Sequence, residues 1–233
     1  MSKLNNILKN ESKGTYIISE IGINHNGSLD TALKLIYKSY EAGVDAVKFQ
    51  KRNLKKIYSK RILEDSNSAE WNFEYLIPLL KELELSKKDY LVIKKTCKKL
   101  NLDLIITPMD EESAGFISTL GIKAFKIASA DMTNLSLIKK CASYNLPLII
   151  STGMWSEEDI KKCVKFYKKN NIEYILLLAN STYPSPYEDI GLHFLETLKS
   201  QSNIVGYSGH ERGTFIPIAA VALGAQIIEK HIT

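Results

Sequence analysis

The sequence predicts a closed (β/α)8 TIM barrel, an α/β fold, and three observations carry that prediction. Eight short β-rich runs recur along the 233 residues. Most are separated by roughly 10–15 residues of helical period, a rhythm that implies parallel strands joined by right-handed crossovers. Polar and charged residues gather at the C-terminal ends of the runs, where barrel active sites are built. A doubly wound sheet is the rival. It usually has fewer strands and a Gly-rich phosphate turn after the first, where this chain has GINHNG.

The runs are, in order, YIISEIGI, DAVKFQ, LDLIITP, AFKIAS, PLIIST, YILLLAN, NIVGYSG and QIIEKHIT. After the first, residues 28–43 read as a helix. Ser28 suits the N-cap, Leu29, Ala32, Leu33, Ile36 and Tyr40 fall on one face, and Gly43 stops it. Gly121 and Pro147 punctuate turns before later strands. The interval between the second and third runs, residues 51–102, is long. It holds the polar stretch KRILEDSNSAEWN and then two helical runs, and an insertion of this kind lies over the mouth of a barrel. With no internal linker or low-complexity tract, residues 1–233 form a single domain.

Composition narrows the function. The chain is 45% hydrophobic and 24% charged, which suits one globular core. No apolar run approaches the roughly 18 residues of a membrane span, and MSKLNNILKN lacks a signal-peptide core; a soluble cytoplasmic protein is expected. The three cysteines, Cys97, Cys141 and Cys163, sit in Lys-rich helical stretches and read as reduced thiols. The net charge of +5 is carried by lysines on helical stripes, with arginine only at positions 52, 61 and 212, which argues against a nucleic-acid reader.

The strand ends carry Glu20, Lys48 and Gln50, Thr107, Lys126 and Ser129, Ser151, Ser181, Ser208 and His210, and Glu229 and His231. The period of two places Lys48 with Gln50, Ser208 with His210 and Glu229 with His231 on shared faces. Closure would bring these residues to one mouth. Two lysines and several hydroxyls suit a phosphate or carboxylate. Two histidines on neighbouring strands can hold a divalent metal with positions left for water and substrate. Glutamates beside them can orient water or move protons. Types and spacing thus point to metal-assisted chemistry on an anionic small molecule.

The stretches ISEIGINHNGSLDTALKLIYKSYEAGVDAVKFQK, TPMDEESAGFISTLGIKAFKIASADMTNL, STGM, STYPSPYEDIGL, VGYSGHERG and AAVALGAQIIEKHIT, taken together and in this order, resemble the sialic acid synthase family, whose members make N-acetylneuraminic, legionaminic and pseudaminic acids. The resemblance implies condensation of phosphoenolpyruvate with an N-acetylated amino sugar to a nine-carbon 2-keto sugar acid and phosphate, assisted by Mn2+ or Mg2+. By motif match, His210 and His231 would be the metal ligands. Lys48 and Lys126 would hold phosphoenolpyruvate, with Thr107, Ser129, Ser151 and Ser208 on its phosphate and carboxylate and Gln50 lining the same pocket. Glu20 would contact the sugar, with Tyr183 and Ser181 nearby. Asp131 would serve proton transfer and Glu229 would orient water.

Plainer roles stand beside these. Thr107, Ser129 and Ser151 could cap the helices that follow, as could Asp131, and Tyr183 before Pro184 could be a rigid turn residue. Asn24 and His25 either bind or shape the first loop. The chain also departs from the family. Leu178, Ala179 and Asn180 replace a His-Cys-Thr run, and Asp131 stands where many members have Glu. Against the family the chain reads as truncated after strand 8, without the last barrel helix and the antifreeze-like C-terminal domain, which in the family's homodimers reaches the partner's active site. An apolar stripe beside strand 8 is therefore expected to face water. Two other readings remain: condensation with another aldehyde such as a sugar phosphate, and an inactive barrel that binds metal or phosphoenolpyruvate without turnover.

Overall fold

The computed structural model describes residues 3–9, 11, 14–65 and 73–233, with backbone only at 73–75. Part of the polar stretch in the second interval, residues 66–72, lies outside the described residues. After a short helix α1 (Lys3–Leu8), strands and helices alternate: β1 (Tyr16–Gly22), α2 (Leu29–Glu41), β2 (Ala46–Lys51), then the insertion helices α3 (Leu54–Ile57), α4 (Lys60–Glu64), α5 (Phe73–Leu83) and α6 (Lys87–Leu100). The second half follows as β3 (Asp103–Pro108), α7 (Glu111–Ser118), β4 (Ala124–Ile127), α8 (Leu135–Ala142), β5 (Leu148–Ser151), α9 (Glu157–Lys169), β6 (Tyr174–Ala179), α10 (Phe194–Lys199), β7 (Val205–Gly209), α11 (Phe215–Ala222) and β8 (Ile227–His231). The eight strands pair in sequence order, all parallel, and β8 closes on β1. Every one of the eight runs forms a strand at its expected place, and the doubly wound alternative is excluded.

Alternation along the strands builds two cores. Residues facing out, such as Phe49, Ile106, Phe125, Ile150 and Leu176, pack against the helices. Residues facing in form a separate apolar layer: Ile18, Ala46, Ile105, Ala124, Ile149, Ile175, Leu177 and Ile227. Leu4 and Ile7 of α1 belong to that inner cluster, so the N-terminal helix closes the bottom of the barrel. With α1 packed beneath the inner layer, the polar strand ends lie at the opposite, C-terminal mouth.

Helix caps are local and legible. Ser28 accepts from the Thr31 amide, and Ser86 and Ser156 each form a capping box with the aspartate three residues on. The stripe expected on α2 shifts, however. Its buried face is Ala32, Leu35, Ile36 and Ser39, while Tyr40 is half exposed. The reason is specific: the Ser39 hydroxyl lies 2.7 Å from that of Ser19 on β1, so a polar residue takes the buried position and the tyrosine turns outward. The apolar stripe expected beside strand 8 is present, although it does not include the strand itself. Its outward Ile228 is buried. The exposed apolar side chains lie instead on the elements flanking it: Ile17 on β1, Tyr37 and Tyr40 on α2, and Phe215, Ile218 and Val221 on α11. All three cysteines are free and buried. Among the described residues no helix is long and apolar enough to cross a membrane.

Gly206 on β7 pairs with Ile227 on β8 and leaves no room for a side chain, since an added Cβ would meet the Ile227 carbonyl and sit 2.5 Å from Leu177. Gly206→Ala should therefore destabilise the barrel by about 1–3 kcal/mol through overpacking; urea midpoints at unchanged slope would measure it.

Candidate active site

Above the apolar inner layer, the next inward position is polar on every strand except β6, where Leu177 and Ala179 continue the apolar run. Glu20 lies beside Lys48 and His231 in the register, Gln50 beside Thr107, and Ser208 beside Glu229. A cavity of about 190 Å3 opens there, lined by Glu20, Lys48, Gln50, Thr107, Lys126, Ser129, Ser151, Ser181, Tyr183, Ser208, His210, Glu229 and His231, with Met109, Ala128, Ala130 and Met154 between them. Thirteen of the fourteen residues expected at the site therefore converge. The exception is Asp131, whose carboxylate accepts from Asn134 and which lines a separate groove between α7 and α8. It sits in a short 3-10 turn, Ser129–Asp131, which aims the residue away from the mouth.

The centre of the site is a buried array of charge. Lys48 Nζ lies 3.0 Å from Glu20 Oε1 and 3.3 Å from Glu229 Oε1, and Lys126 Nζ lies 4.0 Å from the same Glu229 oxygen. All four side chains are at most 5% exposed. Burial alone depresses the Lys48 ammonium, yet the two carboxylates beside it raise its pKa above the ordinary lysine value. Lys126, less well compensated, is lowered by burial to about 8, with Glu229 opposing the shift. Burial disfavours the Glu229 carboxylate, but the two ammoniums prevail and hold it well below the usual range.

Hydroxyls complete the floor. Lys126 donates to Ser151 Oγ at 2.6 Å and Lys48 to Thr107 Oγ1 at 3.4 Å, while Ser208 donates to Glu229 Oε1 at 3.0 Å. Thr107, Ser129 and Ser151 do not cap the helices that follow; Asp110, Asn134 and Ser156 do. That same observation removes the capping alternative for Asp131. Gly153 brings Ser129 and Ser181 close, since a Cβ there would stand 3.0 Å and 2.6 Å from their hydroxyls. Asn24 and His25 shape the first loop. The Asn24 amide donates to the Ile232 carbonyl, and His25, buried and stacked near Phe49, accepts from the Gly27 amide.

His210 and His231 face each other with ring centroids 5.6 Å apart. His210 Nδ1 bonds the Asn180 carbonyl, which fixes the proton on Nδ1 and makes Nε2 the acceptor. Tyr183, stacked on the ring at 3.9 Å, donates its hydroxyl to that Nε2 at 2.6 Å. Burial lowers the pKa of both histidines. One oxygen each of Glu20 and Glu229 is buried with no hydrogen-bond partner. Two neutral imidazoles and two unsatisfied carboxylate oxygens are donors suited to a divalent cation. Among the described residues, though, no three or more His, Cys, Asp or Glu converge as a finished cage, so water or substrate would complete the coordination. Asn180 acts through its backbone carbonyl, which any residue would supply, so no sequence signal marked it.

A parallel barrel with two buried lysines, two carboxylates and a histidine pair at its C-terminal mouth has the layout of a barrel enzyme site suited to an anion. Known proteins narrow that class. The sequence matches the NeuB family over residues 35–233. It is 38% identical to the N,N'-diacetyllegionaminic acid synthase of Legionella pneumophila, over 99% of this chain and 67% of that protein. It is 40% identical to the N-acetylneuraminate-9-phosphate synthase of Drosophila melanogaster, over 94% of this chain but 60% of that protein. The fold superposes on the crystal structure of N-acetylneuraminic acid synthetase from Leptospira borgpetersenii in complex with citrate with a TM-score of 0.85, at 35% identity and covering 95% of this chain and 74% of that one. The chain belongs to the NeuB family, and it spans about two thirds or less of the length of these two curated relatives.

Because the Glu229 pKa is depressed on folding, its charge contributes stability above the unfolded carboxylate value of 4.5 and loses it as pH falls. Glu229→Gln should cost about 3–5 kcal/mol at pH 7, because it strips Lys126 of the carboxylate beside it and leaves Lys48 with Glu20 alone. The deficit should narrow as pH rises toward about 8, because Lys126 in the variant gives up its proton earlier, and level off above. Urea titrations from pH 6 to 9 would read this.

Proposed function

We propose that this chain is the catalytic barrel of an enzyme that condenses phosphoenolpyruvate with an N-acetylated amino sugar in its open aldehyde form, giving a nine-carbon 2-keto sugar acid and phosphate. The observation that carries the reading is the pair of buried lysines with their hydroxyl partners at the barrel's mouth. Relatives named as legionaminic, N-acetylneuraminic and pseudaminic acid synthases support it.

In this mechanism Lys48 and Lys126 neutralise the phosphate and carboxylate of phosphoenolpyruvate, and Thr107, Ser129, Ser151 and Ser208 hydrogen-bond its oxygens. Gln50 and Glu20 hold the sugar, with Ser181 and the exposed Tyr183 at its open side. Carbon 3 of phosphoenolpyruvate forms the new bond to the aldehyde carbon, whose oxygen gains a proton. Water adds at carbon 2, giving up a proton, and the carbon 2–oxygen bond to phosphate then breaks as the new carbon 2 hydroxyl becomes the keto group and its proton leaves with the phosphate. Glu229, with one oxygen unsatisfied and its pKa held low, is placed to orient that water by accepting a hydrogen bond from it. His210 and His231 would hold Mn2+ or Mg2+, which when bound supplies a Lewis acid for the aldehyde oxygen. Asp131, outside the cavity, has no part in the chemistry. A phosphorylated amino sugar is the second reading, favoured by the 40% identity to a 9-phosphate synthase.

Phosphate release should occur with phosphoenolpyruvate, Mn2+ and N-acetylmannosamine, a diacetamido-trideoxyhexose or their phosphorylated forms, and the preferred sugar separates the two readings. No release with any of them would refute both. Lys126→Met should lower kcat/KM for phosphoenolpyruvate by roughly 100-fold, about 2.7 kcal/mol, whereas Asp131→Asn should stay within a few-fold of wild type. The charged form of Lys126 is the binding form, so kcat/KM should fall as pH rises above about 8. By calorimetry, His210→Ala and His231→Ala should each weaken Mn2+ binding. Tyr183→Phe should strengthen it a few-fold, because its hydroxyl no longer competes for Nε2.

A further inference from the structure

The β2–β3 insertion reaches the site through one arginine. The period of two that places Lys48 and Gln50 inside the barrel continues to Arg52, just past the end of β2. Arg52 is buried, and its Nη2 donates to Gln50 Oε1 at 2.6 Å. The other end of the same amide, Nε2, donates to Glu20 Oε1 at 3.0 Å, and that oxygen also meets Lys48 Nζ at 3.0 Å. A primary amide has two orientations related by a half-turn, and only one offers a donor to Glu20. The arginine enforces that orientation, because it has donors and no acceptor.

The insertion in turn holds the arginine. Glu84, between α5 and α6, forms an ion pair with Arg52, its Oε1 lying 3.3 Å from a buried Nε that has no hydrogen-bond partner, and takes Lys51 Nζ at 2.5 Å through Oε2. Tyr90 of α6 donates to the Gln50 backbone carbonyl, so the insertion grips both the main chain and, through Arg52, the side chain of this one residue. Gly22 allows the close approach: a Cβ there would stand 2.9 Å from Glu20 Oε1 and 3.4 Å from Gln50 Nε2. Arg52 and Glu84 also line a cavity of about 800 Å3 outside the mouth, under the insertion, so the arginine spans the distance from that cavity to the buried site.

We propose that Arg52, braced by Glu84, is a positioning residue: it fixes the Gln50 amide so that Nε2 aims at Glu20 and holds that carboxylate for the amino sugar. The sugar role rests on the function proposed above, whereas the fixed amide does not. The plain alternative is that Arg52 only ties the insertion to the barrel.

The test uses the full chain and the variants Arg52→Met, Arg52→Lys and Glu84→Gln. Without substrate, the Gln50 side-chain amide should give dispersed, slowly exchanging NMR signals in the wild type. These should collapse toward solvent-exposed values in Arg52→Met and be partly restored in Arg52→Lys. Under turnover, Arg52→Met should raise KM for the amino sugar about tenfold and leave KM for phosphoenolpyruvate within twofold; Glu84→Gln should do the same to a lesser degree. In a Gln50→Ala background the Arg52→Met change should have no further effect on the sugar KM. Unchanged Gln50 signals in Arg52→Met would overturn the proposal, as would equal rises in both KM values. A wild type inactive on every sugar would sink the proposed function, while the amide signals would still decide the positioning role.

Discussion

Four charged side chains share the upper layer of this barrel, nearly all of it hidden from water, and the structure is arranged around their mutual neutralisation. Moving one such ion out of water costs several kcal/mol even after relaxation. Glu20, Lys48, Glu229 and Lys126 are tolerable only as a set, and the set exists only if the strands are in register. The pairing of Glu20 with Lys48, and of Ser208 with Glu229, fixes that geometry. The apolar layer below and the α1 plug prevent relief from beneath, since neither offers water or a polar partner. The array therefore opens one way, toward the mouth. Its two unsatisfied carboxylate oxygens and its under-compensated Lys126 are polar capacity that the folded chain leaves for a ligand.

How much of this was legible in the sequence depends on what kind of contact each residue makes. Lys48, Lys126, Glu229 and His231 were readable because a charged or polar residue at an inward strand position violates the apolar rule, and in a closed barrel such violations meet. Asp131 misled for a related reason. Its motif is family-like, but a three-residue 3-10 turn after β4 rotates it out of the mouth, and no periodicity argument applies inside such a turn. Tyr40 misled because Ser39 has a private hydroxyl partner on β1, a pairing between elements that a helical wheel cannot see. Arg52 and Glu84 went unnoticed because arginine after a strand and glutamate before a helix are ordinary; only the coordinates put them in one chain of contacts. The Asn180 carbonyl could not have been read from side-chain types at all.

The two sides of the site differ in construction. On the proposed reading, the anion side is made of strand residues apart from Ser129, which lies in the turn after β4. The sugar side adds connections to the strand residues Glu20 and Gln50: Tyr183 and Ser181 after β6, Met154 after β5, and the insertion behind Gln50. Tyr183 and Met154 are 64% and 70% exposed, whereas Lys48 and Lys126 are 4% and 3% exposed. Rigid elements hold groups more accurately than loops do, so the invariant half of a reaction is best placed on strands and the variable half on loops.

Cavity size points the same way. The strand-end cavity, about 190 Å3, falls below the roughly 300–1,000 Å3 of a site that encloses a whole drug-sized ligand. It is scaled to a small anion. On the proposed reading, phosphoenolpyruvate fills the floor and the sugar lies over it against exposed side chains. Discrimination among amino sugars then falls to residues that the barrel itself does not fix, and the contact from Glu84 through Arg52 and Gln50 to Glu20 is the route by which one such outer segment, the β2–β3 insertion, touches the buried charge array. A barrel of this family could change its sugar by altering that insertion without disturbing the four charges on which its core depends.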